Sequence, residues 1–191
     1  DHDLDLKRIL AVKKVAPKAS IILDANQAFT AVAMLAFLKK LKAKKVVPAL
    51  LEQPVPKKDW DGLRELTRVS GVPVCGVESI KDLADAHYAI QTKAVNVINI
   101  KLMKSGFVEG ADIARLAKKN GIGLMIGAMM ESALSITASA HFSAGIGGFS
   151  FIDLDTTFFI KGPLGKSPCL SARGVFDVRK VKVGIGVTVR T

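Results

Sequence analysis

Carboxylates and a lysine recur at the ends of apolar runs along this chain of 191 residues. Asp24 closes Ile-Ile-Leu-Asp, Glu52 closes Ala-Leu-Leu-Glu, and Glu78 follows Val-Pro-Val-Cys-Gly-Val. Lys101 follows Val-Ile-Asn-Ile, Glu131 follows Met-Ile-Gly-Ala-Met-Met, and Asp153 with Asp155 ends Phe-Ile-Asp-Leu-Asp. Asp24 and Glu52 are hard oxygen donors, the type that suits Mg²⁺. Lys101 is a candidate base for proton transfer. Together they suit removal of a proton next to a carboxylate, with metal charge stabilising the enediolate. A single acid at a strand end reads as a helix cap or a surface residue; it is the recurrence that points to a site.

The steps between these residues are 28, 26, 23, 30 and 22, each the length of one strand, one helix and two loops. Strands are expected at 21–24, 49–52, 72–77, 95–100, 123–128 and 149–154. Helices are expected at 5–15, 30–45, 60–70, 80–91, 108–120 and 133–144. Continuous apolar strands alternating with amphipathic helices imply a parallel sheet covered on both faces. Such strands present all their C-terminal ends on one side of a barrel, so the polar residues would ring one mouth. The fold expected is α/β, a partial barrel of about six parallel strands over residues 1–160. From Lys161 the texture changes: Pro163, Gly165, Pro168 and Gly174 mark loops, and 175–189 reads as short strands punctuated by Gly184 and Gly186. This tail, 161–191, is assigned to the same domain.

Composition narrows the class further. Hydrophobic residues make up 49% and charged residues 24%, which excludes a disordered or fibrous chain. No apolar run approaches the roughly 18 residues of a membrane span, and Asp-His-Asp-Leu-Asp at the start lacks the order of a secretory signal. Cys75 and Cys169, two and far apart, read as reduced thiols, and the expected location is cytoplasmic. The net charge of +11 raises a nucleic-acid partner. However, the lysines are dispersed, their densest run (39–45) ends a helix where cations favour the dipole, and one Trp and one Tyr leave little to stack bases. Neither nucleic acid nor membrane is expected as a partner. His87 and His141 sit within helices and His2 at the terminus, so none reads as a ligand; Met125, Met129 and Met130 read as core and pocket lining.

The local sequences carry a resemblance. Asp24-Ala25-Asn26-Gln27, Leu51-Glu52-Gln53-Pro54, Asn99-Ile100-Lys101-Leu102-Met103-Lys104 and Met129-Met130-Glu131-Ser132 resemble the successive strand-end motifs of the enolase superfamily, within its mandelate racemase/muconate lactonising subgroup. Asp153-Leu154-Asp155 is similar to the paired aspartates of the dipeptide epimerases, such as L-Ala-D/L-Glu epimerase, and Val183-Gly184-Ile185-Gly186-Val187 to that family's Gly-Leu-Gly-Val tail. The resemblance implies a (β/α)₇β barrel of the TIM type and racemase or epimerase chemistry at the α-carbon of a dipeptide. Asp24 and Glu52 would be two of three magnesium ligands, with Asn26 and Gln53 supporting them. Lys101 would be one of two lysine acid/base catalysts, an arrangement characteristic of this superfamily. Glu131 would lie near the substrate carboxylate or backbone, and Asp153 and Asp155, on one face of the last strand, would hold the α-ammonium.

Two departures bear on activity. The family's third ligand is the aspartate of an Asp-Glu-Ser triplet, and here the triplet reads Val77-Glu78-Ser79. Alternation turns Glu78 to the opposite side from Val77, which leaves Glu78 a neighbour rather than a ligand and implies weakened Mg²⁺ binding. The sequence also begins at what would be the helix before the third strand, without the family's capping domain, its first two strands or the Lys-x-Lys segment that supplies the second base. Inversion needs a base on each face of the α-carbon, so Lys101 alone is expected to exchange the α-proton with retention. An impaired epimerase is the reading these residues favour. The alternative is a catalytically degenerate barrel fragment that serves as a binding or assembly module, its first strand edge facing a second copy or a complementing chain.

Overall fold

In the computed structural model, residues 2–160 and 167–187 are described. Lys161, Pro163 and Gly165, from which the change of texture was read, and Val189 lie outside them. The elements are α1 (His2–Val15), β1 (Ile22–Asp24), α2 (Ala31–Ala43), β2 (Leu50–Glu52), α3 (Trp60–Val69), β3 (Val74–Gly76), α4 (Leu83–Gln91), β4 (Val97–Ile100), α5 (Leu102–Lys119), β5 (Gly123–Ile126), α6 (Ala133–Ile146) and β6 (Phe149–Ile152). The six strands hydrogen-bond in chain order, β1 to β6. Strand and helix alternate throughout, which makes this the α/β fold that the spacing of the polar residues implied. Among the described residues no helix is long and apolar enough to cross a membrane.

Two compact units make up the chain: residues 1–80 with 87–98, and residues 81–86 with 99–191. In the first, β1, β2 and β3 are parallel, with Asp24 opposite Glu52 and Glu52 opposite Cys75. All three residues of β2 and of β3 are buried, as expected where helices cover both faces of a parallel sheet. Leu63 and Leu66 of α3 and Met34 and Leu41 of α2 complete this core. The helix starts follow from local chemistry. The Thr30 hydroxyl accepts from Ala33 N at 3.2 Å and the Asp59 carboxylate from Gly62 N at 2.8 Å, each satisfying an amide left open in a first turn.

The second unit contains α5, β5, α6 and β6. Its core is Leu124, Met125 and Ile126 of β5 with Ile136 of α6. Phe142 bridges Phe107 and Phe149, with ring centroids 6.1 and 6.2 Å apart. Three features differ from the sequence reading. Helix α5 starts at Leu102, six residues before the expected Val108, because a first turn precedes a break at Gly106 (φ 68°, ψ −172°), a conformation that favours glycine. Strand β6 stops at Ile152, so Asp153 and Asp155 lie beyond it rather than on it; Asp155 instead starts a 3₁₀ turn at Thr156–Phe158. In place of short strands, the described part of the tail carries one antiparallel bridge, Leu170 to Phe176, and a 3₁₀ turn at Val178–Lys180. Gly174 at φ 77° reverses the chain within that bridge.

Candidate active site

The first unit carries the paired carboxylates. Asp24 and Glu52 end neighbouring parallel strands in register, and register partners in a sheet project to the same face. Asp24 is exposed, whereas Glu52 is only 3% exposed. After each strand end the chain enters the left-handed region, at Asn26 (φ 47°) and Gln27 (φ 69°) and again at Gln53 (φ 33°). Backbone of this kind clusters at functional sites. The first turn is closed by Asn26 N donating to Asp24 Oδ1 at 2.9 Å. Asn26 therefore supports Asp24 through its backbone. Gln27 joins the two turns: its N–H donates to Gln53 O at 2.8 Å, and its Oε1 accepts from Lys57 N at 3.0 Å. A cleft of about 390 Å³ opens beside Asp24, lined by Asp5 and Arg8 of α1, Leu23 of β1, Phe29, and Met34 and Phe37 of α2.

Gln53 is the most heavily committed side chain here, with no exposed surface. Its Oε1 accepts from Val77 N at 2.8 Å and Ser79 N at 3.2 Å. Its Nε2 donates to Ser79 Oγ at 2.8 Å and to Val55 O at 3.0 Å. Ser79 Oγ passes the chain of bonds on, donating to Lys57 O at 2.8 Å. Thus Gln53 ties the end of β2 to the turn that follows β3. That turn carries Val77, 2% exposed, and Glu78, whose Oε2 is shielded from solvent without a hydrogen-bond partner among the described residues. Ser79 was not singled out from the sequence. Its signal there is its place as the serine of the triplet Val77-Glu78-Ser79.

A magnesium ion takes one or two protein carboxylates and keeps several waters, and the in-register pair of Asp24 and Glu52 fits that demand. A fuller protein cage is not offered: among the described residues no three of His, Cys, Asp and Glu stand together to hold a metal. Position 77, where a third carboxylate would be sought, presents a buried isopropyl group.

The second unit carries the remaining candidates. Lys101 directly follows β4, is half-buried, and is the N-cap of α5, with Lys104 N and Ser105 N donating to its carbonyl. Asn99, two residues before it on the same strand face, is buried against Gly127, where an added Cβ would lie 2.6 Å from Asn99 Oδ1. Glu131, 3% exposed, has both carboxylate oxygens engaged in its own turn: Met129 N donates to Oε1 at 2.8 Å, and the Ser135 hydroxyl contacts Oε2. Its place is that of a turn-holding residue at the start of α6. Asp153 N donates to Ile126 O at 2.9 Å, which continues the β5–β6 ladder one step past the strand. Asp153 and Asp155 are exposed and Leu154 between them is buried. Beyond Lys101 and Glu131 lies a mainly apolar pocket of about 460 Å³, with Leu102, Met103, Phe107, Leu134, Ser135 and Ile185 in its wall.

The family model for the enolase C-terminal domain-like fold matches residues 1–191. The hydrophobic dipeptide epimerase of Citrifermentans bemidjiense is 58% identical over 193 residues, covering 100% of this chain and 52% of that protein. The crystal structure of a mandelate racemase/muconate lactonizing enzyme from Roseiflexus sp. superposes with a TM-score of 0.95 at 46% identity, over 99% of this chain and 55% of that one. The dipeptide epimerase from Enterococcus faecalis complexed with Mg and the dipeptide L-Leu-L-Tyr gives 0.78 at 34% identity, over 82% and 45%. The chain belongs to the enolase C-terminal domain-like family, and its relatives are dipeptide epimerases, as its strand-end motifs implied. It spans about half the length of the relatives it matches.

Proposed function

We propose that this chain serves epimerisation at the α-carbon of a dipeptide, its first unit carrying a divalent-cation site and its second a proton-transfer group. The observation that carries the reading is the parallel register of Asp24 with Glu52 at two adjacent strand ends, each followed by a left-handed turn. These two carboxylates would hold Mg²⁺. The bound cation supplies positive charge beside the substrate carboxylate. Lys101 takes the α-proton on its own face of the substrate. Asp153 and Asp155, both exposed, attract the α-ammonium group and orient the substrate, while Glu131 sets the turn before α6. The 58% identity to a hydrophobic dipeptide epimerase and the apolar pocket beyond Lys101 favour dipeptides with apolar side chains.

Val77 weakens the cation site in this reading. The test is incubation with Mg²⁺ in D₂O, using L-Ala-L-Glu and an apolar dipeptide such as L-Leu-L-Tyr, with NMR following α-deuteration and configuration. α-Deuteration is expected, and it should vanish in Lys101→Ala. The second reading, a degenerate module, is favoured by the apolar residue at position 77; absence of any exchange would select it.

A further inference from the structure

The strand entries of the first unit differ in character from its strand ends. In a parallel sheet all the N-terminal ends lie on the side away from Asp24 and Glu52, and the connections that enter β1 to β4 run over that side. No Asp or Glu occurs in 11–21, 38–50, 66–74 or 87–97. Lys14, Lys18, Lys44, Lys45 and Lys93, in these stretches, are exposed and make no ion pair among the described residues. Lys45 (φ 59°) and Lys93 (φ 55°) stand in the left-handed conformation two positions past the ends of α2 and α4, a place that favours glycine. After α3 and α5 the same place is taken by Gly71 (φ 70°) and Gly121 (φ 69°). A helix dipole accounts for lysines in a last turn. It does not account for lysines kept where glycine fits more easily, nor for the lack of acids.

A groove of about 290 Å³ opens among these connections, between the ends of α2 and α3. Leu38, Val46, Val47 and Val69 line it together with Lys39 and Lys42. Val47 is 65% exposed although apolar, and both lysines are exposed. Lysine stems extend an apolar wall while their ammonium groups stay in water, so the groove is apolar within and positive around. We infer that it is a docking site for an acidic polypeptide segment that carries an apolar side chain among its carboxylates. Charge complementarity selects the acidic partner, since the stretches around the groove offer cations and no acid. The concave form selects a peptide over a bilayer, which would need apolar side chains that project. No aromatic ring lines the groove, which selects against a single-stranded nucleic acid that stacks its bases. Docking there is separate from the chemistry proposed for the strand ends.

The test is fluorescence anisotropy of a short labelled peptide of Asp and Glu with one central Leu, titrated with the full chain. Binding is expected, weakening at least about ten-fold between roughly 0.05 and 0.5 M NaCl as the charges are screened. Ser in place of the central Leu of the peptide should cost at least about five-fold, because the apolar burial is lost. Lys39→Glu with Lys42→Glu should weaken binding at least about ten-fold; if that variant does not fold, Lys39→Gln with Lys42→Gln replaces it, with a loss of at least about three-fold. Lys119→Glu with Lys182→Glu, a change of charge as large in the second unit, should leave affinity within about two-fold at 0.15 M salt. The inference is overturned by absence of binding, by equal affinity for the Ser peptide, or by equal loss in the two charge-reversal variants. Tighter binding to phosphatidylserine vesicles or to oligo-dT than to the peptide overturns it as well.

Discussion

The strand ends of the first unit and those of the second are built on different principles. In the first, Asp24 and Glu52 sit in the sheet itself, and Gln53 ties the next turn to them through four hydrogen bonds from one buried amide. In the second, Lys101 caps a helix, Glu131 is held by its own turn, and Asp153 and Asp155 follow the last residue of β6. Positions fixed by register and a buried amide are set before any ligand arrives. Positions on turns and helix starts are set by a few local contacts, and of these Asp153 and Asp155 stay exposed to solvent. A cation site gains from the first kind of support, because misplaced ligand oxygens lose affinity steeply. Groups that handle a proton or grip a flexible dipeptide tolerate the second.

The contrast can be broken from either side. The largest expected effect is on chemistry: Lys101→Ala should reduce α-proton exchange by roughly 10²- to 10⁴-fold, measured by deuteration in D₂O, with a melting temperature close to that of the parent. Next comes the buried amide. Gln53→Met in the otherwise unaltered chain takes their Gln53 partner from Val77 N, Ser79 N and Val55 O, and each buried group left unsatisfied costs about 1–3 kcal/mol; urea unfolding should show a loss of at least ~2 kcal/mol. Gly127→Ala tests whether the second unit has a rigid point of its own. Its new Cβ would fall 2.6 Å from Asn99 Oδ1 and 2.7 Å from Asn99 Nδ2, so Asn99 must move, and a loss of about 1–3 kcal/mol is expected. The smallest effect on folding belongs to Asp155→Asn. This residue is exposed, so stability should stay within about 0.5 kcal/mol of the parent, while the KM for a dipeptide with a free α-ammonium rises. A stability loss from Asp155→Asn as large as that from Gln53→Met would erase the distinction between the two regions.

Much of the fold was legible because strand and helix periods alternate at a spacing that leaves few other α/β arrangements. Asp24 and Glu52 close their strands as read, since a short apolar run ended by an acid has one plausible boundary. The boundary of α5 was not legible. Leu102 to Ser105 has no long periodic face, and only the conformation at Gly106 shows one turn joined to a longer helix. The departure of Asp153 and Asp155 from β6 was equally hidden, because an acid–Leu–acid run reads as strand alternation in the sequence although the strand stops at Ile152.

The amino-acid order by itself determined the succession of elements, the family and the residue types at each strand end, because these depend on local periodicity and on short contiguous motifs. Tertiary structure alone decided what Gln53 does. Its partners at 77 and 79 are 24 and 26 residues away, and only the register of two strands closes that distance. The same holds for the pairing of exposed Asp24 with buried Glu52. Sequence can place a carboxylate at a strand end, but packing and hydrogen bonding determine what stands opposite it and how firmly it is held.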